Sequence, residues 1–199
     1  MSAPAIPDQQ LRPMRADARR NHERILAAAR ELFAGEDPGV QIADVAARAG
    51  VGVGTVYRHF PDKEALMGEL VRERFSIFNT QLRAALGDAS QAPFAALSGA
   101  LRANAEALAD DAATRYAMMG GGERAYGYAA AELAEFLSLS RELVGRAHAS
   151  GELRPDFSEQ DVPMIMCGVC ATMGKRDAGW EWDRHLDLLI DGMRALPGA

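Results

Sequence analysis

Two cysteines in 199 residues are too few for a disulfide framework, and such scarcity fits a reducing compartment. No apolar run reaches the roughly 20 residues that a bilayer-spanning helix needs; the longest, at about 162–174, is shorter. The opening MSAPAIPDQQLRPMRADARR lacks the apolar core of a secretory signal, so cytoplasmic residence without membrane contact is expected. No stretch alternates apolar and polar residues in the manner of a strand. Enzyme motifs are absent as well. There is no nucleophile elbow and no metal-binding histidine pair, and the glycines at 120–122 lack the Lys-Ser/Thr of a phosphate-cradling loop. No enzymatic activity, cofactor or metal is therefore expected.

What is present is ordinary globular material. With 48% hydrophobic and 25% charged residues, the chain can bury a core in one or two small domains. Its formal net charge of −6 argues against nucleic-acid binding unless the charge is segregated, and it is. Residues 1–75 hold 11 basic and 11 acidic side chains, whereas residues 76–199 hold 11 against 17 and carry the whole excess. Arg12, Arg15, Arg19, Arg20 and Arg24 face only Asp17 and Glu23 across residues 12–24, so the N-terminal end is the positive one.

The apolar spacing reads as helices throughout. Residues 1–16, with three prolines, read as a flexible arm. Ile25, Leu26, Ala29, Leu32 and Phe33 mark one face of a helix that stops at Gly35. Ile42, Val45, Ala46 and Ala49 mark a second, ended by Gly50. A third segment spans about 53–60, with Val56, Tyr57 and Phe60 on one side. Asp62 caps a long helix to about 86. Further helices are predicted at about 94–110, 112–119, 123–150, 158–174 with Ser158 as N-cap, and 183–196. The expectation is an all-α protein of about nine helices. Its units are an arm (1–16), a DNA-binding unit (17–61), a connecting helix (62–86) and a larger helical domain (87–199).

Residues 41–66, QIADVAARAGVGVGTVYRHFPDKEAL, carry the chemistry. Two short helices around a glycine turn make a helix-turn-helix, whose second helix lies in the DNA major groove. Ala46 lets the helices approach, Gly50 permits a left-handed turn, and Val51, Val56 and Phe60 supply a small core. Gly54, Thr55 and Arg58 are left pointing outward. Arg58 suits guanine O6 and N7, and Thr55 suits a thymine methyl or a phosphate. Tyr57, His59 and Lys63 suit phosphate oxygens.

On these residues the chain resembles the TetR family of bacterial transcriptional regulators. The resemblance covers residues 19–70: RILAAARELF, a short loop, IADVAARAGVGVGTVYRHFPDKEAL, then a long helix. It implies a homodimeric all-α repressor whose C-terminal domain binds a small molecule. It also implies operator contacts from Gln41, Thr55, Tyr57, Arg58, His59 and Lys63, and a dimer interface built from helices at about 158–174 and 183–196. The apolar VPMIMCGVCATMG agrees, since it must be covered on more than one side.

An apolar effector site is expected from Phe78, Leu82, Leu101, Met118, Tyr126, Met166 and Cys170, with Met119, Met164, Met173, Tyr116 and Phe136 as further candidates. Two other readings stand beside the repressor. One is a small-molecule-binding protein of the same fold with little DNA affinity. The other is an all-α redox protein or enzyme built on Cys167 and Cys170, although two thiols without further ligands fall short of a structural zinc site.

Overall fold

A computed structural model describes residues 8–173 and 179–195; of the expected arm, residues 1–7 lie outside them. Ten helices are present among the described residues. Their order is α1 (Asp8–Phe33), α2 (Ile42–Ala49), α3 (Val53–His59), α4 (Lys63–Gly87), α5 (Pro93–Ala109), α6 (Ala112–Gly120), α7 (Gly122–Tyr128), α8 (Ala130–Ala149), α9 (Asp161–Met173) and α10 (Trp182–Gly192). The only β pairing among the described residues is an isolated antiparallel bridge between Leu153 and Arg194.

The first three helices pack around one end of a continuous buried core. Ile25, Ala29 and Phe33 of α1 meet Val45 and Ala46 of α2, Val56 of α3 and the following Phe60, all buried. Phe33 is fully buried, a contribution of about 1.5–3 kcal/mol for an apolar side chain of this kind. Gly50 ends α2 with φ 64°, and its N–H reaches back to the Ala46 and Ala47 carbonyls. Only glycine takes that left-handed turn without cost.

Helix α4 leaves this module and runs through the larger domain, packing against α5, α6, α7 and α8. Asp62 caps it, accepting from the Ala65 N–H at 2.8 Å. Its buried stripe includes Leu66, Leu70, Phe75, Phe78 and Leu82. Gly68 on the same helix admits α7 at close range: a Cβ there would lie 2.6 Å from the Tyr128 Cβ and 2.8 Å from the Ala125 carbonyl oxygen.

Four local features differ from the sequence reading. Helix α1 extends back to Asp8, so residues 8–16 of the expected arm are helical. Their Gln, Leu, Arg, Met and Ala residues favour helix, and Pro13 lies within its first two turns. The last helix, predicted over 183–196, ends at Gly192, because the chain beyond it turns to pair Arg194 with Leu153 in an isolated bridge. The predicted helix at 123–150 breaks at Ala129 into α7 and α8, which raises the count from nine to ten. The break lets α7 cross α4 at Gly68 while α8 takes a new direction along it. Finally, α9 begins at Asp161 rather than after Ser158. The Asp161 carboxylate accepts from the Ser158 N–H at 2.6 Å and its hydroxyl at 3.0 Å, which fixes the chain just before the helix.

Candidate nucleic-acid interface and internal cavity

Helix α3 buries Val56 and turns the rest of its surface outward. Gly54 is exposed, with nothing within 4 Å of a Cβ placed on it. Thr55 is half-buried and Arg58 exposed, joined by a 3.2 Å hydrogen bond from the Arg58 Nη2 to the Thr55 Oγ1. Tyr57, grouped by spacing with Val56 and Phe60 but expected to contact phosphate, is 52% exposed, while Val56 and Phe60 reach the core. Val53, 42% exposed at the first turn, is an apolar surface residue that the sequence reading missed. Its exposure follows from a helix too short to give it a partner.

Charge on this face is selective. Arg20 pairs with Asp17, Arg48 with Glu31, and Arg19 lies 3.7 Å from Glu23. Arg58 enters no ion pair among the described residues, so its charge is unspent. Arg24 braces the turn from behind, donating from Nη2 to the Gly50 carbonyl at 3.3 Å. Gln41 stands exposed before α2, its N–H on the Asp44 carboxylate at 2.8 Å.

His59 lies half-buried beside His22 of α1, with ring centroids 5.8 Å apart, and His22 stacks on Phe60 at 4.9 Å. Burial, His22 and Arg58 together hold the His59 pKa below its ordinary value, so its neutral form is favoured. Lys63 is set apart from the other expected DNA contacts. Its Nζ donates to the Pro38 carbonyl at 3.1 Å and sits 5.7 Å from the Phe33 and Tyr116 ring centres, tying α4 to the loop before α2.

The larger domain holds two adjoining apolar lobes that share Phe78, Asn104 and Phe136 as walls. One, about 350 Å³, also takes in Leu82 and Leu101. The other, about 480 Å³, takes in Met118, Tyr126, Met166 and Cys170. Each of the seven residues proposed from the sequence thus lines one of two lobes that share a wall. The space is narrow, with little of either lobe wide enough to admit a water molecule. Met119 and Cys167 also line the second lobe. Of the further candidates, Met164 is 64% exposed, and Tyr116 packs on Phe33 with ring centres 5.6 Å apart. Neither reaches the cavity, because α9 turns Met164 away from the core and α6 turns Tyr116 towards α1. Met173 is buried but lines neither lobe.

Burial pushes the Cys170 thiol up to about 11 and raises Cys167 as well, so both stay protonated at neutral pH and poorly reactive. Burial also lifts Tyr126 to about 12, and its hydroxyl donates to the Met118 carbonyl at 3.2 Å. Among the described residues, no group of three or more His, Cys, Asp or Glu could hold a metal. No helix there is long and apolar enough to cross a membrane.

The cavity and the DNA-facing module are mechanically joined. Arg124 of α7, two residues from Tyr126, pairs with Asp62, the cap of α4. Arg30 of α1 reaches Glu73 of α4, as well as Asp111 and Thr114 at 3.4 Å. On the far side, α9 and α10 leave an open groove of about 780 Å³, with Met164 and Leu188 exposed at 64% and 61%.

Residues 25–70 match the family described as bacterial regulatory proteins, tetR family. Residues 92–195, over half of the chain, match the C-terminal domain of SbtR-like transcriptional regulators. The chain belongs to the TetR family. A TetR transcription regulatory protein of Mycobacterium vanbaalenii is 31% identical, the alignment covering 92% of this chain and 100% of that one at a TM-score of 0.55. FadR of Bacillus subtilis, solved with stearoyl-CoA, shares the fold at 19% identity and a TM-score of 0.68, over 86% of this chain and 98% of its own. A helix-turn-helix transcriptional regulator of Staphylococcus aureus is 37% identical over 73 residues, which span 35% of this chain and 38% of that regulator.

Proposed function

We propose that this TetR-family member is a ligand-responsive transcriptional repressor of the cytoplasm, binding a pseudo-palindromic operator as a homodimer and released by a small apolar effector. The observation that carries the reading is the α3 surface: Arg58, in no ion pair among the described residues, stands beside half-buried Thr55 and exposed Gly54, Tyr57 and Val53. Arg58 reads a guanine, and Thr55 and Val53 meet thymine methyl groups. Tyr57, His59 and Gln41 hold phosphates. Lys63 supports the interface from behind through Pro38.

The dimer uses the open face of α9 and α10. Exposed Met164 and Leu188 are the apolar residues a second copy would cover, placing two α3 helices about one turn of DNA apart. The effector enters the lobes around Phe78 and Phe136. Their narrowness means that binding selects or opens a wider form, and the shift is bounded by the ligand's preference for it. Movement of α7 would reach α3 through Arg124 and Asp62.

Fluorescence anisotropy of a labelled duplex, titrated at several salt concentrations, tests the DNA reading. Binding that weakens log-linearly with salt is expected. Absent or salt-independent binding would favour a small-molecule-binding protein of the same fold. Leu188→Glu is expected to split the dimer in sedimentation velocity, and an unchanged dimer would place the interface elsewhere.

A further inference from the structure

The cavity has a polar corner that its apolar walls do not explain. Arg74 of α4 is only 6% exposed, yet forms no ion pair among the described residues. Its Nη2 donates to the Asn104 carbonyl at 2.9 Å and to the Asn104 Oδ1 at 2.8 Å, while its Nε has no partner. The guanidinium carbon lies over the Phe78 ring, 3.9 Å from its centre. Arg74 itself lines neither lobe, but the two side chains it touches, Asn104 and Phe78, are with Phe136 the walls that both lobes share, so the charge lies directly behind that common wall. Asp111, the carboxylate that acts on Arg74, is already engaged by Arg30 and by the Thr114 N–H at 3.0 Å.

Two further orphans flank the same space. The Ser140 Oγ and Gln81 Oε1 are buried without hydrogen-bond partners, and both residues line the first lobe. A hydroxyl rotates to donate, and an amide turned over presents its N–H₂ to the same point. Burial lowers the Arg74 pKa to about 10, which leaves the group charged at neutral pH. A buried charge without a counter-ion is expensive, and stacking on Phe78 offsets only part of that cost.

We infer that the effector is an amphipathic acid: a carboxylate bound by Arg74, with Ser140 and Gln81 beside it, and an apolar body in the lobe lined by Phe75, Tyr126, Leu133 and Met166. The carboxylate supplies a counter-ion through a charge-assisted hydrogen bond from Nε, the one fully buried nitrogen of Arg74 left without a partner. This rests on the effector reading above and names the chemistry of that site.

The test is isothermal titration of the full chain with two matched pairs of probes: 4-phenylbutyrate against 4-phenylbutanamide, and octanoate against octanamide. At least one acid is expected to bind about tenfold or more tightly than its amide, a difference of about 1.4 kcal/mol. Arg74→Gln is expected to erase the preference by weakening the acid and not the amide, and Arg74→Lys to keep part of it. Equal binding of acid and amide to the unaltered protein would overturn the inference without any variant having to fold. So would the failure of both acids at millimolar concentration, or a folded Arg74→Gln that keeps the preference. Duplex binding measured in the same samples separates the two claims. Acid binding lost in Arg74→Gln but without effect on DNA supports the head-group assignment and overturns the effector role.

Discussion

Replacing Gly68 with alanine adds one methyl group to α4 where α7 crosses it. That carbon would lie 2.6 Å from the Tyr128 Cβ and 2.8 Å from the Ala125 carbonyl, against an ordinary carbon contact of about 3.5–4.0 Å. Neither neighbour is a flexible side-chain end, so α7 has to move by about an ångström. Overpacking of this kind costs about 1–3 kcal/mol, and alanine in place of glycine within a helix returns about 0.5–1 kcal/mol. At the middle of both ranges the expected net loss is about 1 kcal/mol, or roughly 2–4 °C in Tm for a chain of this size. Gly99→Ala in α5 is the control: it adds the same methyl with nothing within 4 Å. It should stabilise by about 0.5–1 kcal/mol. Urea melts of both variants, followed by circular dichroism, decide the matter. Gly68→Ala as stable as the parent, or Gly99→Ala equally damaged, would refute the claim that the α4–α7 crossing is limited by contact.

Three other predictions concern the DNA-facing module. Arg58→Ala should cost about 1–3 kcal/mol on the best duplex and relax base preference at one position; an equal loss on all sequences would make Arg58 a phosphate contact. Lys63→Ala should lower stability by about 0.5–1.5 kcal/mol through its bond to Pro38 and leave the salt slope of DNA binding unchanged; a slope flattened by about one would show the ammonium on a phosphate. The folded state holds His59 below its ordinary pKa, near 6.5, so the unfolded chain binds the proton more tightly. His59 therefore gives its full stability above that value and loses it as pH falls through the range below. Melting temperatures at pH 7.5 and 5.5 should fall further for the parent than for His59→Gln, and equal falls would remove His59 as a cause.

The helix-turn-helix was legible because its signals are local: a stripe at Ile42, Val45, Ala46 and Ala49, a glycine that must turn left, and an aspartate that caps. The cavity wall was legible for a related reason, since Phe78 and Leu82 continue the apolar stripe of one helix and Met166 and Cys170 that of another. Contacts between distant segments were not. The break at Ala129 is set by where α7 meets Gly68, and the inward turn of Lys63 by a loop carbonyl 25 residues away. Arg74 did leave a trace, as a lone cation on a stripe that otherwise reads Leu70, Val71, Phe75 and Phe78. That it forms no ion pair among the described residues is visible only in three dimensions.

The central claim is that two copies of α3 read DNA. Its most direct measurement is selection of duplexes from a random library by the purified protein at near-physiological salt. Enrichment of a single inverted repeat, with half-sites about one helical turn apart and a guanine lost as a requirement in Arg58→Ala, is the predicted result. A library that emerges unenriched would contradict it.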